Sequence, residues 1–337
     1  MSAGRLANTA ASLVAPGRGI LAADESTKTI AKRFRTHAIP STEWTRRDWR
    51  ELLITAPGVE RWISGVILYD ETLRQLTSDG QPFAQAIEAR GMIPGVKVDT
   101  GTVPMPGREP EALTEGLDGL DDRLPEYAQL GARFAKWRAV FTIAPELPSI
   151  ECLEANSQRL ARYAACCQRH GLVPIIEPEV LMDGAHPLAT CAAATQRTLE
   201  YVFKALGEHP VELDGALLKP NMVLAGSKSP HPRNPDEVAA GTVRCLRAVL
   251  PRTLAGVVFL SGGQDSEEAT ANLRAINATG PQPWPLSFSF GRALQQDALG
   301  LWAGRYELRS VAQAAFLERA RANGDACRAV AAGEIAA

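Results

Sequence analysis

The chain has 337 residues, 45% of them hydrophobic and 22% charged, the ordinary make-up of a globular protein with material for one large core. A formal net charge of −2 gives no bulk attraction to nucleic acid or to an acidic membrane surface. With so little net charge, a small anionic substrate would need a local basic pocket, and no apolar run approaches the roughly 18 residues of a membrane helix.

The N-terminal stretch carries an early Arg5 and no long apolar segment. It reads as a short surface helix ended by Pro16-Gly17 and not as a secretory leader. Hydrophobic runs of strand length then recur at 19–24, 64–70, 94–99, 134–140, 173–180, 215–221, 256–262 and 285–291. Most are nearly continuous, as expected of parallel strands buried on both faces. Helical patterns fill the gaps. Thr42 to Ile54 opens on a Thr-Glu cap signal and carries Trp44, Trp49, Leu52 and Leu53. Residues 148–170 place Leu153, Leu160, Ala164 and Cys167 at helical spacing. Asn234-Pro235 starts another helix with Pro at its first position. Asp265 to Glu268 resembles a capping box ahead of Leu273 and Ile276. In the longest gap, 100–133, a loop is expected to lead into a helix from about Glu115 to Leu130. Six cysteines without CxxC spacing read as free thiols of a reducing cytosol.

Eight strands alternating with helices indicate a (β/α)₈ barrel. A doubly wound open sheet is the alternative, but it usually has fewer strands and a Gly-rich turn after the first. Here the first strand ends in Asp24-Glu25-Ser26. Residues 1–337 are expected to form one such domain, with a short N-terminal helix and a C-terminal helical extension.

Charged residues interrupt the apolar strands at spacing two: Lys97 with Asp99, Lys136 with Arg138, Glu177 with Glu179. Residues i and i+2 of a strand share a face, and near the C-terminal end of a barrel strand that face looks into the mouth where active sites are built. Lys219 lies near the end of its own run and precedes Pro220. Buried ion pairs seldom gain net stability, so repetition on several strands points to chemistry. A lysine becomes a nucleophile where apolar surroundings or a second cation favour its neutral amine. Lys219 follows Ala216, Leu217 and Leu218, and Lys136 can supply the second cation. Attack on a ketone gives a protonated imine, an electron sink that lets a carbon–carbon bond beta to it break. Glu177, Glu179 and Asp24 are acids of the type the proton transfers need.

Two clusters suit phosphate. Ser261, Gly262 and Gly263 follow the seventh strand run, and Gly291 with Arg292 follows the eighth, the recurrent phosphate position of this fold. Ser26, Thr29, Lys32 and Arg33 follow the first, where a solvated basic helix face is the alternative reading. Two phosphates at opposite sides of the mouth would suit a bisphosphorylated sugar.

The segments GILAADES, GVKVD, FAKWR, IEPEVL, LLKPNMV, FLSGGQ and FSFGRAL resemble, in order and from about residue 14 to 327, the motifs of class I fructose-bisphosphate aldolases. The resemblance implies a metal-free, cofactor-free (β/α)₈ enzyme, typically a cytoplasmic homotetramer acting on sugar phosphates in glycolysis and gluconeogenesis. It implies that Lys219 forms the imine and that Glu177 is the principal acid/base. Lys136 assists proton transfer, Asp24 orients substrate, and Glu179 supports Lys219. It assigns Lys97, Arg138, Lys32, Arg33 and Ser26 to the sugar chain or its 6-phosphate, and Ser261, Gly262, Gly291 and Arg292 to the 1-phosphate. Two departures stand out: Thr29 replaces a common serine, and the chain ends GEIAA where many members carry a terminal tyrosine, which implies slower protonation of the enamine. Three rivals remain: a Schiff-base aldolase for another ketose phosphate, a metal-dependent aldolase, and a non-catalytic scaffold. The metal reading would need clustered histidines, and His37, His170, His186, His209 and His231 are scattered, with no pair at i, i+4.

Overall fold

The structure, a computed structural model, describes residues 3–231 and 233–328. In chain order the strands are β1 (Gly19–Ala23), β2 (Ile63–Leu68), β3 (Ile93–Lys97), β4 (Gly101–Pro104), β5 (Ala112–Glu115), β6 (Phe134–Phe141), β7 (Val173–Val180), β8 (Leu217–Leu218), β9 (Gly256–Phe259) and β10 (Leu286–Phe290). Eight of them close a parallel barrel in the order β1, β2, β3, β6, β7, β8, β9, β10 and back to β1; β4 and β5 pair apart as an antiparallel hairpin. The fold is thus the (β/α)₈ barrel expected from the sequence. The helices are α1 (Ala3–Leu13), α2 (Thr27–Arg35), α3 (Glu43–Ile54), α4 (Asp70–Arg74), α5 (Phe83–Glu88), α6 (Leu120–Gln129), α7 (Ile150–Arg169), α8 (Leu188–Gly207), α9 (Pro235–Val249), α10 (Ser266–Asn277), α11 (Arg292–Trp302) and α12 (Arg309–Ala326). Among the described residues no helix is long and apolar enough to cross a membrane.

Each hydrophobic run became a barrel strand. The run at 215–221 yields only the short β8, yet its ladder continues: the Lys219 N–H donates to the Ile176 carbonyl at 2.7 Å, and the Pro220 carbonyl accepts from Leu260 N–H at 3.0 Å. The gap at 100–133 differs from expectation. Residues 101–115 form the hairpin, and the helix begins only at Leu120, behind Gly116 and Gly119, both at positive φ. Gly119 supplies the left-handed turn that starts the helix, and no helical signal can extend back through it.

The caps follow local chemistry. Thr42 caps α3, with Thr45 and not a glutamate as its reciprocal partner. Asp265 accepts from the Glu267 and Glu268 amides, while the Glu268 carboxylate reaches Arg233 at 3.0 Å instead of returning to its cap. Five of the six cysteines are buried, and all six are free thiols.

The N-terminal helix is more than a surface element. Leu6, Ala10 and Leu13 of α1, with Val14, pack against Ile20, Ala22, Ile67, Phe134, Val173, Ile175, Leu217 and Val258 and fill the N-terminal end of the barrel. A Cβ on Gly95 would come within 2.3 Å of the Phe134 ring, so only glycine lets that ring cross the interior. The apolar members of this plug and the charged residues of the sequence analysis have the same strand parity. Ile20 and Ala22 lead to Asp24, Phe134 to Lys136 and Arg138, Ile175 to Glu177 and Glu179, and Leu217 to Lys219. One inward face is therefore apolar at the N-terminal end and charged at the C-terminal end.

Candidate active site

At the C-terminal end of the barrel, β1, β6, β7 and the residue after β8 bring four side chains into one ion-paired chain. Lys136 Nζ lies 2.7 Å from Asp24 Oδ2 and 3.2 Å from Glu177 Oε2, and Lys219 Nζ lies 3.1 Å from Glu177 Oε1. All four side chains are about nine-tenths buried or more. Glu177 is the bridge. One of its oxygens faces each lysine, and Oε2 has no hydrogen-bond partner despite its ion pair, which leaves a buried acceptor free for another group.

Charge explains the proton states. Burial opposes ionisation of Asp24, but the Lys136 and Lys219 charges outweigh it and hold the carboxyl down at about 2. Glu177 is likewise lowered, with burial outweighed by Lys136, Lys219 and Arg138. Burial disfavours the Lys136 ammonium, and Asp24, Glu177 and Asp99 raise it well above the ordinary lysine value. A carboxylate depressed in the folded state stabilises the fold above its unfolded value, and that contribution is lost as pH falls through the folded value. For Asp24 the loss falls between pH 3.8 and about 2, and it corresponds to roughly 2 kcal/mol. Urea midpoints should therefore decline across that window, and Asp24→Asn should flatten that decline. A variant curve parallel to wild type contradicts the pairing.

Around this chain lie the remaining candidates. Lys97 Nζ is 2.5 Å from Asp99 Oδ1 and donates to the Asp99 carbonyl at 2.6 Å. Arg138 pairs with Glu179 through its Nε. Glu179 thus stands by Arg138 in this structure and not in the chain that holds Lys219. A Cβ on Gly262 would fall 2.6 Å from Glu179 Oε1, so the glycine admits that carboxylate. Beyond Gly262, Gly263 turns at positive φ, and the Gln264 carbonyl accepts from Arg292 Nη2 at 3.3 Å, tying the loops after β9 and β10 together. Gly291 precedes α11, whose N-terminus has no side-chain cap. That leaves a helix end with its positive pole toward the mouth, beside Ser261, Gly262 and Arg292, as an anion would require.

The cluster after β1 is differently built. Ser26 caps α2 by accepting from the Thr29 amide at 3.3 Å, and its hydroxyl lies 3.0 Å from that of Thr29. Arg33 pairs with Glu25, and Lys32 is exposed on the helix face. Sequence reasoning missed two residues here. Glu25 enters the sequence analysis only in the segment that ends the first strand, and Arg50 is not singled out there. The signal for Arg50 was present, since it lies inside the apolar stripe of α3 between Trp49 and Leu52.

Among the described residues one group of metal-ligand type occurs, Asp121, Cys166 and His170, with their donor atoms within 4.8 Å of one another. It lies on α6 and α7 away from the converging charges, and Asp121 Oδ1 already contacts Arg169 at 2.8 Å and His170 at 2.6 Å. A cavity of about 490 Å³ lies at the N-terminal end beside Val14, Pro16, Trp284 and Cys327, far from the charged cluster along the barrel axis.

Lysines and carboxylates thus converge at the C-terminal end of the barrel, and an uncapped helix follows its eighth strand. The model of the class-I fructose-bisphosphate aldolase family matches residues 5–336, and the chain belongs to that family. A protein of Xanthomonas axonopodis pv. citri, named "Probable fructose-bisphosphate aldolase class 1", is 53% identical over 328 residues, covering 96% of this chain and 97% of its own. The cytoplasmic isozyme of fructose-bisphosphate aldolase from Cicer arietinum is 53% identical over 319 residues, covering 94% of this chain and 89% of its own. A solved structure of fructose-bisphosphate aldolase from Plasmodium falciparum, in complex with TRAP and a small-molecule inhibitor, superposes with a TM-score of 0.96 at 48% identity. It covers 98% of this chain and 96% of that one.

Proposed function

We propose that this enzyme reversibly cleaves fructose 1,6-bisphosphate to dihydroxyacetone phosphate and glyceraldehyde 3-phosphate through an imine on Lys219. The observation that carries this reading is the buried bridge of Glu177 between Lys219 and Lys136.

Glu177 takes a proton from Lys219, and the neutral amine attacks the C2 carbonyl of the ketose. The new C–N bond gives a carbinolamine. Glu177 returns a proton to its hydroxyl, water leaves, and a protonated imine remains. That imine carries the positive charge the ammonium had, so the balance of two cations against Asp24 and Glu177 is kept through the step. A carboxylate, again Glu177, removes the C4 hydroxyl proton. The C3–C4 bond breaks, its electron pair enters the imine, and the aldehyde departs. The enamine then takes a proton at C3, and water hydrolyses the imine to release the triose phosphate and regenerate Lys219. Because the imine is the electron sink, this chemistry uses no metal or cofactor. Lys136 holds Glu177 and Asp24 in their ionised, oriented forms, and Asp24 accepts from substrate hydroxyls.

In this reading Ser261, Gly262, Gly263, Gly291 and Arg292 hold the 1-phosphate. Ser26, Thr29, Lys32, Arg33, Lys97 and Arg138 face the sugar chain and the 6-phosphate, with Glu25 releasing Arg33 toward the anion. Glu179 orients Arg138. A homotetrameric, cytoplasmic enzyme of glycolysis and gluconeogenesis is carried over from the family resemblance; the cytoplasmic part also accords with the name of the Cicer arietinum relative.

Borohydride reduction in the presence of dihydroxyacetone phosphate tests the reading. A covalent adduct localised to Lys219 by peptide mass is expected, and a wild-type enzyme that yields none refutes the imine.

A further inference from the structure

β1 ends at Ala23, and the next residues leave the ladder. Carbonyls at and beyond this exit need other donors, because a buried carbonyl without one is costly. Arg50 provides them. From α3, outside the barrel, its fully buried side chain reaches the turn, where Nε donates to the Ala23 carbonyl at 3.1 Å and Nη2 to the Glu25 carbonyl at 2.7 Å. Asp24 lies between these two carbonyls. We propose that Arg50 is a positioning residue for the reaction, fixing the Asp24–Glu25 turn so that the Asp24 carboxylate meets Lys136.

The proposal rests on the imine-forming reading above and on three observations. First, one planar guanidinium holds both carbonyls that flank Asp24. Its fork fixes their separation, which the single rotatable ammonium of lysine does not. Second, the arrangement is too expensive to be mere carbonyl satisfaction. Arg50 is fully buried, it has no carboxylate in hydrogen-bond contact, and its Nη1 has no hydrogen-bond partner. Burial lowers its proton affinity, and the charges of Glu25, Glu71 and Asp24 oppose that lowering. A glutamine would satisfy a carbonyl without a buried charge. Third, the turn is held from both flanks. Gln295 of α11 donates to the Ala22 carbonyl at 2.7 Å and accepts from the Trp49 indole at 3.2 Å. The Glu25 carboxylate pairs with Arg33. Arg50 thus stands behind the residue that engages Lys136 and beside the one that holds a proposed phosphate ligand.

The test uses the full-length enzyme. A displacement near 1 Å at a reacting geometry costs on the order of 10²-fold, so Arg50→Lys should lower kcat by about that factor while KM changes less. The borohydride adduct on Lys219 should still form, because the nucleophile is untouched. In an Asp24→Asn background the same Arg50→Lys change should lower kcat less than about threefold, since residues acting through one another are not additive. Wild type without an adduct refutes the functional reading. Wild type with an adduct, and Arg50→Lys either cleaving within threefold of it or additive with Asp24→Asn, refutes the role of Arg50. Should Arg50→Lys fail to fold, Arg50→Gln decides: it can serve one carbonyl but loses the fork that spans both, so kcat should again fall about 10²-fold with KM changing less, and cleavage within threefold of wild type refutes the role.

Discussion

Lys219→Ala is expected to abolish cleavage while the barrel remains folded. The loss should be on the order of 10⁴-fold or more, as for removal of a nucleophile from a group that acts as a unit. Lys219 sits at the end of a ladder that is bonded on both sides, to Ile176 through its own amide and to Leu260 through Pro220. Those bonds use backbone and survive the change. Glu177 keeps Lys136 as a cation on its other oxygen, so truncation does not leave it alone in the interior. Far-UV circular dichroism should match wild type, and borohydride should give no adduct. Activity within tenfold of wild type contradicts the assignment.

Lys136→Met should have the largest effect on stability of any single change in the site. Lys136 contacts Asp24 at 2.7 Å and Glu177 at 3.2 Å. Removing it leaves two buried carboxylates near each other with less compensation, which costs about 3–5 kcal/mol near neutral pH. The sign with pH follows from burial. Without their shared cation, both carboxyls take up protons at higher pH than usual. Neutralisation then relieves the repulsion, so the deficit against wild type should shrink as pH is lowered from about 7 to about 5. Urea titrations at the two pH values measure it, and a constant deficit contradicts the argument. Activity should fall about 10²–10⁴-fold, the usual contribution of a positioned proton-transfer group.

The sequence carried the architecture because its strands are buried on both faces and so read as continuous apolar runs. It also carried the heart of the site, because charge at spacing two inside such a run has few innocent explanations. What it concealed has physical causes. The β4–β5 hairpin is short, with β4 largely exposed and β5 only partly buried, so no apolar run marked it. The role of α1 was hidden because Leu6, Ala10 and Leu13 look like any amphipathic face until the open end they fill is known. Pairing was not legible either. Glu179 meets Arg138, and Arg33 meets Glu25, through contacts that depend on side-chain direction and not on spacing. Arg50 is the least legible of these, since its partners are carbonyls, which every residue has.

The shared parity of the inward face has a consequence for how such a chain can change. Along β6 and β7 the residues that fill the closed end and those that carry charge are counted on the same alternate positions. A one-residue insertion near the start of β6 would rotate Lys136 and Arg138 together into the helical layer and bring Trp137 and its neighbours inward. Chemistry and packing would fail at one stroke. A mouth loop that carries none of these groups can lengthen without disturbing the parity, but within the strands insertions and deletions keep it only two residues at a time.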